Sequence, residues 1–239
     1  IALGAIFATT VTTGSTLPFG LTRLLSGLAF CLGLILVVGA GAELFTGNNL
    51  IVMAWADGKV TTWQLLRNWS IVYVGNFVGS VATAVMMLWS KQYTFANGVL
   101  GQNALNIANF KVNLAFGQAL VLGILCNALV CLAVWLCLGG RSATDKILSI
   151  IFPITAFVAA GFEHSVANMY FIPMGLLVKN SASAEFWSQI GSSADAFANL
   201  TWGNFFLHNL VPVTLGNIIG GALMVGLGYW FIYLRPTWT

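Results

Sequence analysis

The sequence predicts an all-α integral membrane protein of six transmembrane helices, folded as one domain over residues 1–239, with an inverted 3+3 repeat in which helices two and five are broken. Three observations carry this prediction. Of 239 residues, 59% are hydrophobic and 6% are charged, against about 25% charged in an ordinary soluble domain. The apolar residues fall into stretches long enough to cross about 30 Å of hydrocarbon. Two spaced motifs recur in the same order in the two halves of the chain.

The expected spans run at about 1–13, 24–56, 66–90, 113–138, 147–178 and 203–234. The turns between them, 14–20, 57–62, 91–111, 139–146 and 179–199, carry most of the Ser and charged residues. The tryptophans, Trp55, Trp63, Trp69, Trp89, Trp135, Trp187, Trp202, Trp230 and Trp238, fall near span ends, as an interfacial belt would place them. Residue 1 is an isoleucine already inside an apolar stretch, with no charged leader or cleavage site, so the chain is expected to lack its natural start. With the N-terminus inside, Lys59, Arg67, Arg141, Lys146 and Arg235 lie on the cytoplasmic side, against Arg23, Lys91, Lys111 and Lys179 on the other. This small excess favours both termini cytoplasmic.

Shifting the chain by about 120 residues lays Gly41, Glu43 and Asn48 on Gly161, Glu163 and Asn168, so G-x-E-x-x-x-x-N is read twice. At an offset of 141 (Asn209 against Asn68), "NWSIVYVGNFVG" lies on "NLVPVTLGNIIG", matching Val72, Gly75, Asn76 and Gly79 to Val213, Gly216, Asn217 and Gly220. The repeats cover about 1–90 and about 113–234. Three spans in each copy turn the second upside down relative to the first, a signature of channels and transporters. Gly75 with Gly79, and Gly216 with Gly220, set small residues four apart on one helix face, where backbones can approach closely.

Spans two and five exceed the roughly 20 residues of a simple crossing and hold polar groups in their middles. Each is expected to break into half-helices, the second starting at Thr46 with Gly47 or at Ser165 after His164, with a hydroxyl capping free N–H groups. Such starts turn unpaired N–H groups and partial positive charge toward a shared centre, which suits a small anion or a strongly polar solute. Glu43 and Glu163, related by the repeat, read as structural acceptors for Asn48 and Asn168. His164 breaks the symmetry, since Leu44 stands at its equivalent position. A titratable group in one half only is a candidate for function, with a satisfied core histidine as the alternative. His208, at the start of span six, reads as interfacial.

Other classes fit poorly. The nine basic residues are spread over separate loops, so no nucleic-acid partner is expected. Cys31, Cys126, Cys131 and Cys137 lie in apolar runs with no CxxC spacing, so they read as core residues and no metal site is expected. His164 and Ser165 are adjacent in sequence, a poor geometry for a nucleophile and its base, and no G-x-S-x-G elbow is present. The two histidines lie at different apparent depths, unsuited to haem. The protein is expected to be no enzyme and to carry no cofactor.

"GAELFTGN", "GRSATDK", "GFEHSVANMYFIPMG" and "NLVPVTLGNIIGG" resemble the formate/nitrite transporter family over nearly the whole chain. The resemblance implies an aquaporin-like fold without the NPA box, a homopentamer with one pore per subunit, and a bacterial inner-membrane location. It implies that Thr46 and His164 meet at the pore centre, with Lys111 and Asn127 lining or supporting that region. By the same resemblance Phe30, Leu34, Leu44, Phe45 and Phe157 pinch the pore, while Asn168 and Asn217 hold the broken segments. The implied function is a pH-dependent channel for formate and similar small monovalent anions. Nitrite or hydrosulfide are alternative substrates, and a membrane anchor subunit of a redox complex is an alternative of another class.

Overall fold

The structure is a computed structural model and describes residues 1–235; Trp238 lies outside the described residues. The described chain is helical, with α1 (Ala2–Thr12), α2 (Phe19–Ala40), α3 (Phe45–Asn48), α4 (Val52–Ala56), α5 (Thr62–Trp89), α6 (Val99–Val112), α7 (Phe116–Gly139), α8 (Ala143–Ala160), α9 (Ser165–Ser181), α10 (Ala184–Gln189), α11 (Trp202–Asn204) and α12 (Val211–Ile218). A 3₁₀ turn, Asn49–Ile51, joins α3 to α4, and wider π-helical stretches, Phe205–Leu210, Ile219–Leu227 and Trp230–Leu234, flank α12. By length and composition five segments could cross a membrane: Phe19–Ala40, Thr62–Trp89, Phe116–Gly139, Ala143–Ala160 and Ala194–Leu234. Ala2–Thr12, where the sequence places its first span, is apolar and 11 residues long.

Helix starts differ from the expected bounds for a local reason. α5 opens at Thr62 because Thr61 accepts from the Gln64 N–H while the Gln64 side chain accepts from the Thr61 N–H. α8 opens at Ala143 through the same reciprocal pair, Ser142 with Asp145. These first turns are polar, so hydropathy places each span's start some residues late. The stretches expected as turns at 91–111 and 179–199 contain α6 and α10. α6 buries Leu100, Ala104, Leu105, Ala108 and Val112 on one face and packs on α9. At 14 residues it is too short to have read as a crossing.

Packing follows the repeat. α2 lies along α8, its counterpart in the other half, and α1 packs on α2 as α7 packs on α8, whereas α12 lies along α7 with no equal contact between α5 and α1. In one respect the halves differ. A Cβ on Gly216 or Gly220 would strike the carbonyl oxygens of Leu120 and Ile124, so α7 and α12 touch backbone to backbone. A Cβ on Gly75 or Gly79 would meet nothing within 4 Å beyond its own helix. The equal roles expected for the two glycine pairs therefore do not hold within one chain. Gly75 and Gly79 border an open groove of ≈ 280 Å³ that also meets Ile1, Val37, Glu43, Leu44 and Asn76.

Candidate functional site

Helix α2 ends at Ala40, Gly41 takes a left-handed φ of 71°, and helix resumes at Phe45. Helix α8 ends at Ala160, Gly161 takes φ 77°, and helix resumes at Ser165. A positive φ suits glycine, which is why G-x-E begins both interruptions. The residues that follow are extended, Leu44 at φ −128° and His164 at φ −113°, so each chain turns sharply and then starts a new helix.

Neither new helix is capped by the expected hydroxyl. In the second break His164 is itself the cap: its Nδ1 accepts from the Ala167 N–H at 3.1 Å. In the first, no side chain of the break caps α3. Each first N–H is instead satisfied from another helix. Asn76 Oδ1 accepts from the Phe45 N–H and Asn217 Oδ1 from the Ser165 N–H, both at 2.9 Å. Each of these asparagines also donates through Nδ2, at 3.0 Å, to the backbone carbonyl of Glu43 or Glu163 respectively. Ser165 Oγ is buried and has no hydrogen-bond partner among the described residues. The hydroxyls do not cap because Thr46 and Ser165 lie inside the new helices, past the cap positions Leu44 and His164, and the carboxamides of Asn76 and Asn217 bracket those cap residues instead, accepting from the residue after each and donating to the residue before it.

The two glutamates occupy matching networks with different charge balance. Asn48 donates to Glu43 Oε2 and to Asn68 Oδ1, as Asn168 donates to Glu163 Oε2 and to Asn209 Oδ1. Glu43 is exposed, whereas Glu163 is 1% exposed. Glu163 also accepts from Asn209 Nδ2 and forms an ion pair with Lys111, whose Nζ stands 2.7 Å from Oε1. Lys111 therefore reaches the region as the counter-ion of Glu163, with its Nζ also 5.4 Å from the centre of the Phe171 ring.

The breaks meet where Thr46 Oγ1 lies 3.0 Å from His164 Nε2. Because Nδ1 accepts a backbone N–H that can only donate, the neutral ring carries its proton on Nε2 and donates to Thr46. The Thr46 hydroxyl then keeps its own proton for another acceptor. Thr46 and His164 are both buried, and the His164 ring stacks on Phe157 at 5.9 Å between centroids. Phe157 in turn meets Phe30 edge to face at 5.6 Å. Leu34 and Leu44 are buried in the same core, while Phe45 turns its ring onto Tyr73 and Trp69. Asn127 Nδ2 reaches Thr46 O, Asn49 Oδ1 and Asn217 O, tying α3 to α12 through α7.

Asn76, Asn209, Asn68 and Asn49 belong to this site and were absent from the residues singled out in sequence. The signal was present for the first three, which fall in the repeat match, but it read as packing. Trp69, expected in the interfacial belt, instead donates through Nε1 to Asn48 O at 2.9 Å. His208 is exposed and plays no part in the centre.

Residues 1–231 match the family described as formate/nitrite transporter. The chain is 51% identical over 236 residues to the formate channel FocA of Escherichia coli K12, covering 98% of this chain and 83% of that protein. It is 47% identical over 228 residues to FocA of Haemophilus influenzae, covering 95% and 80%. A solved pentameric formate channel with formate bound superposes with a TM-score of 0.92 at 48% identity, covering 98% of this chain and 93% of that one. A helical chain with two matched interruptions, matched along nearly its whole length by that family, belongs to the formate/nitrite transporter family.

Proposed function

We infer that the protein is a pH-dependent channel for formate and similar small monovalent anions, working as a homopentamer in the bacterial inner membrane. Six crossings are proposed, with both termini cytoplasmic, the second interrupted between α2 and α3 and the fifth between α8 and α9. The observation that carries the reading is the hydrogen bond between the breaks, Thr46 Oγ1 to His164 Nε2, enclosed beside the Phe30 and Phe157 rings.

The chemistry follows from charge in an apolar place. A bare anion loses its hydration on entering a ring of Phe and Leu, at a cost of several kcal/mol. The Thr46 hydroxyl donates to the anion, and the starts of α3 and α9 direct partial positive charge toward it. A proton passed from cationic His164 turns the anion into a neutral acid that crosses the apolar rings far more easily. That cation is not the resting form. A proton on Nδ1 would face the Ala167 N–H, so charging the ring breaks its own cap. An anion at Thr46 offsets this cost, which couples the charge on His164 to the presence of substrate.

Formate uptake by purified protein in liposomes, followed between about pH 5 and 7, tests the reading. Uptake that varies with external pH is expected. Nitrite carried at a higher rate than formate would move the assignment to the alternative substrate. No anion flux, together with co-purifying haem, would favour the redox-anchor alternative.

A further inference from the structure

Arg23 is a cation that the central site leaves unused. It lies seven residues before Phe30 on α2, two helical turns or about 10 Å along the same face. Its Nε donates to Ala159 O at 3.0 Å and its Nη2 to Val158 O. Those carbonyls end α8, directly after Phe157, whose ring closes against Phe30. A Cβ on Gly161 would stand 3.2 Å from Arg23 Nη2, so the guanidinium rests against the first residue of the break that leads to His164. Among the described residues Nη1 has no hydrogen-bond partner, and no carboxylate lies within ion-pair distance of Arg23.

We propose that Arg23 is an anion-recruiting site at one mouth of the Phe30 and Phe157 constriction, taking small monovalent anions before they meet the apolar rings. The inference rests on the channel reading above. Two electrostatic effects act together. The C-terminal end of α8 carries partial negative charge that would repel an approaching anion, and the two carbonyl bonds of Arg23 offset it. The free Nη1 then presents donors and a net positive charge to the mouth. Lys111 contributes less from within, because Glu163 offsets its charge. Val158 and Ala159 are half-buried and Ala160 is exposed, so the guanidinium stands at the boundary of the enclosed core, where an anion can still reach it with part of its hydration.

The test is formate uptake in proteoliposomes at low and high ionic strength, comparing the unaltered protein with Arg23→Gln and Arg23→Lys. At low salt Arg23→Gln should raise half-saturating formate about five-fold, leave the maximum rate within about two-fold, and lose the salt dependence, whereas Arg23→Lys should keep both. A helix cap alone predicts otherwise, and unchanged half-saturation and salt response in folded Arg23→Gln would overturn the proposal. So would a lower maximum rate at unchanged half-saturation. Should Arg23→Gln not be recovered folded, Phe19→Glu decides. Phe19 is 81% exposed, and a carboxylate four residues before Arg23 offsets its charge while leaving both carbonyl bonds in place. The same rise is expected, and an unmoved half-saturation overturns the inference. Absence of uptake by the unaltered protein would overturn the channel reading and this inference with it, whereas active unaltered protein with unmoved variants overturns this inference alone.

Discussion

Tyr73 and Thr214 share a hydrogen bond of 2.9 Å between their hydroxyls and stand 141 residues apart, the offset that also superposes Asn76 on Asn217. A residue and its own image in the sequence repeat are therefore in contact. The Tyr73 ring also meets Phe45 edge to face at 4.8 Å, so the clasp between α5 and α12 supports the start of α3.

Tyr73→Phe should cost about 1 kcal/mol, the net worth of one hydrogen bond, with the ring contact to Phe45 kept. Tyr73→Ala should cost about 3 kcal/mol or more, because it leaves a cavity under Phe45 as well. Melting of the purified protein in detergent ranks the two. Equal shifts would show that the hydroxyl pair, rather than the ring, positions α3.

The two glycine pairs should separate sharply. Gly216→Leu and Gly220→Leu drive a side chain into the α7 backbone at Leu120 and Ile124, and overpacking of this kind costs about 1–3 kcal/mol or more. Gly75→Ala and Gly79→Ala meet nothing within 4 Å beyond their own helix and should leave the protomer fold intact. Size-exclusion profiles check this. A loss of folded protein from Gly75→Ala matching that from Gly216→Leu would contradict the difference between the halves.

Removing charge should hurt at Glu163 and be tolerated at Glu43. Glu163→Gln leaves Lys111 without its counter-ion and turns an amide toward the Asn168 and Asn209 donors, which both address Oε2. No orientation of the amide serves Lys111 and both asparagines together, so the loss approaches the roughly 3–5 kcal/mol of a broken buried pair. Glutamine is thus no mild substitute for the buried carboxylate, although a sequence reading of hydrogen bonds alone would make it one. Glu43 is exposed and, among the described residues, has no such cation, so Glu43→Gln should shift the melting temperature little. Comparable losses at the two positions would show that the Lys111 pair carries no special weight.

The sequence made the breaks legible because a local rule controls them: Gly41 and Gly161 hold positive φ, and each is followed at fixed spacing by a carboxylate and an asparagine. What joins the breaks was less legible because it is distant in sequence. Lys111 and Glu163 are 52 residues apart, and Asn76 and Glu43 are 33 apart. No periodicity encodes such pairs. The thread that reaches them is the repeat, since Asn76 and Asn217 do the same work at the same offset. Among the described residues Lys111 has no counterpart beside Glu43, so symmetry could not announce its ion pair.

His164 is both a candidate proton carrier and the cap of α9, and substitutions can part these roles. Asparagine is among the best capping residues, so His164→Asn can still accept from the Ala167 N–H and should hold the fold. It cannot titrate, so formate uptake should persist with no response to pH between about 5 and 7. Phenylalanine removes both roles: the lost cap costs about 1 kcal/mol, Thr46 loses its partner, and uptake should fall below detection in protein that still assembles. Thr46→Ala should weaken the pH response less than either, since a water can replace one hydroxyl between ring and anion. The measurement is uptake in liposomes at fixed formate across that pH range. Should His164→Asn respond to pH as fully as the unaltered protein, the ring is a cap and nothing more, and proton delivery must come from outside the Thr46 and His164 pair.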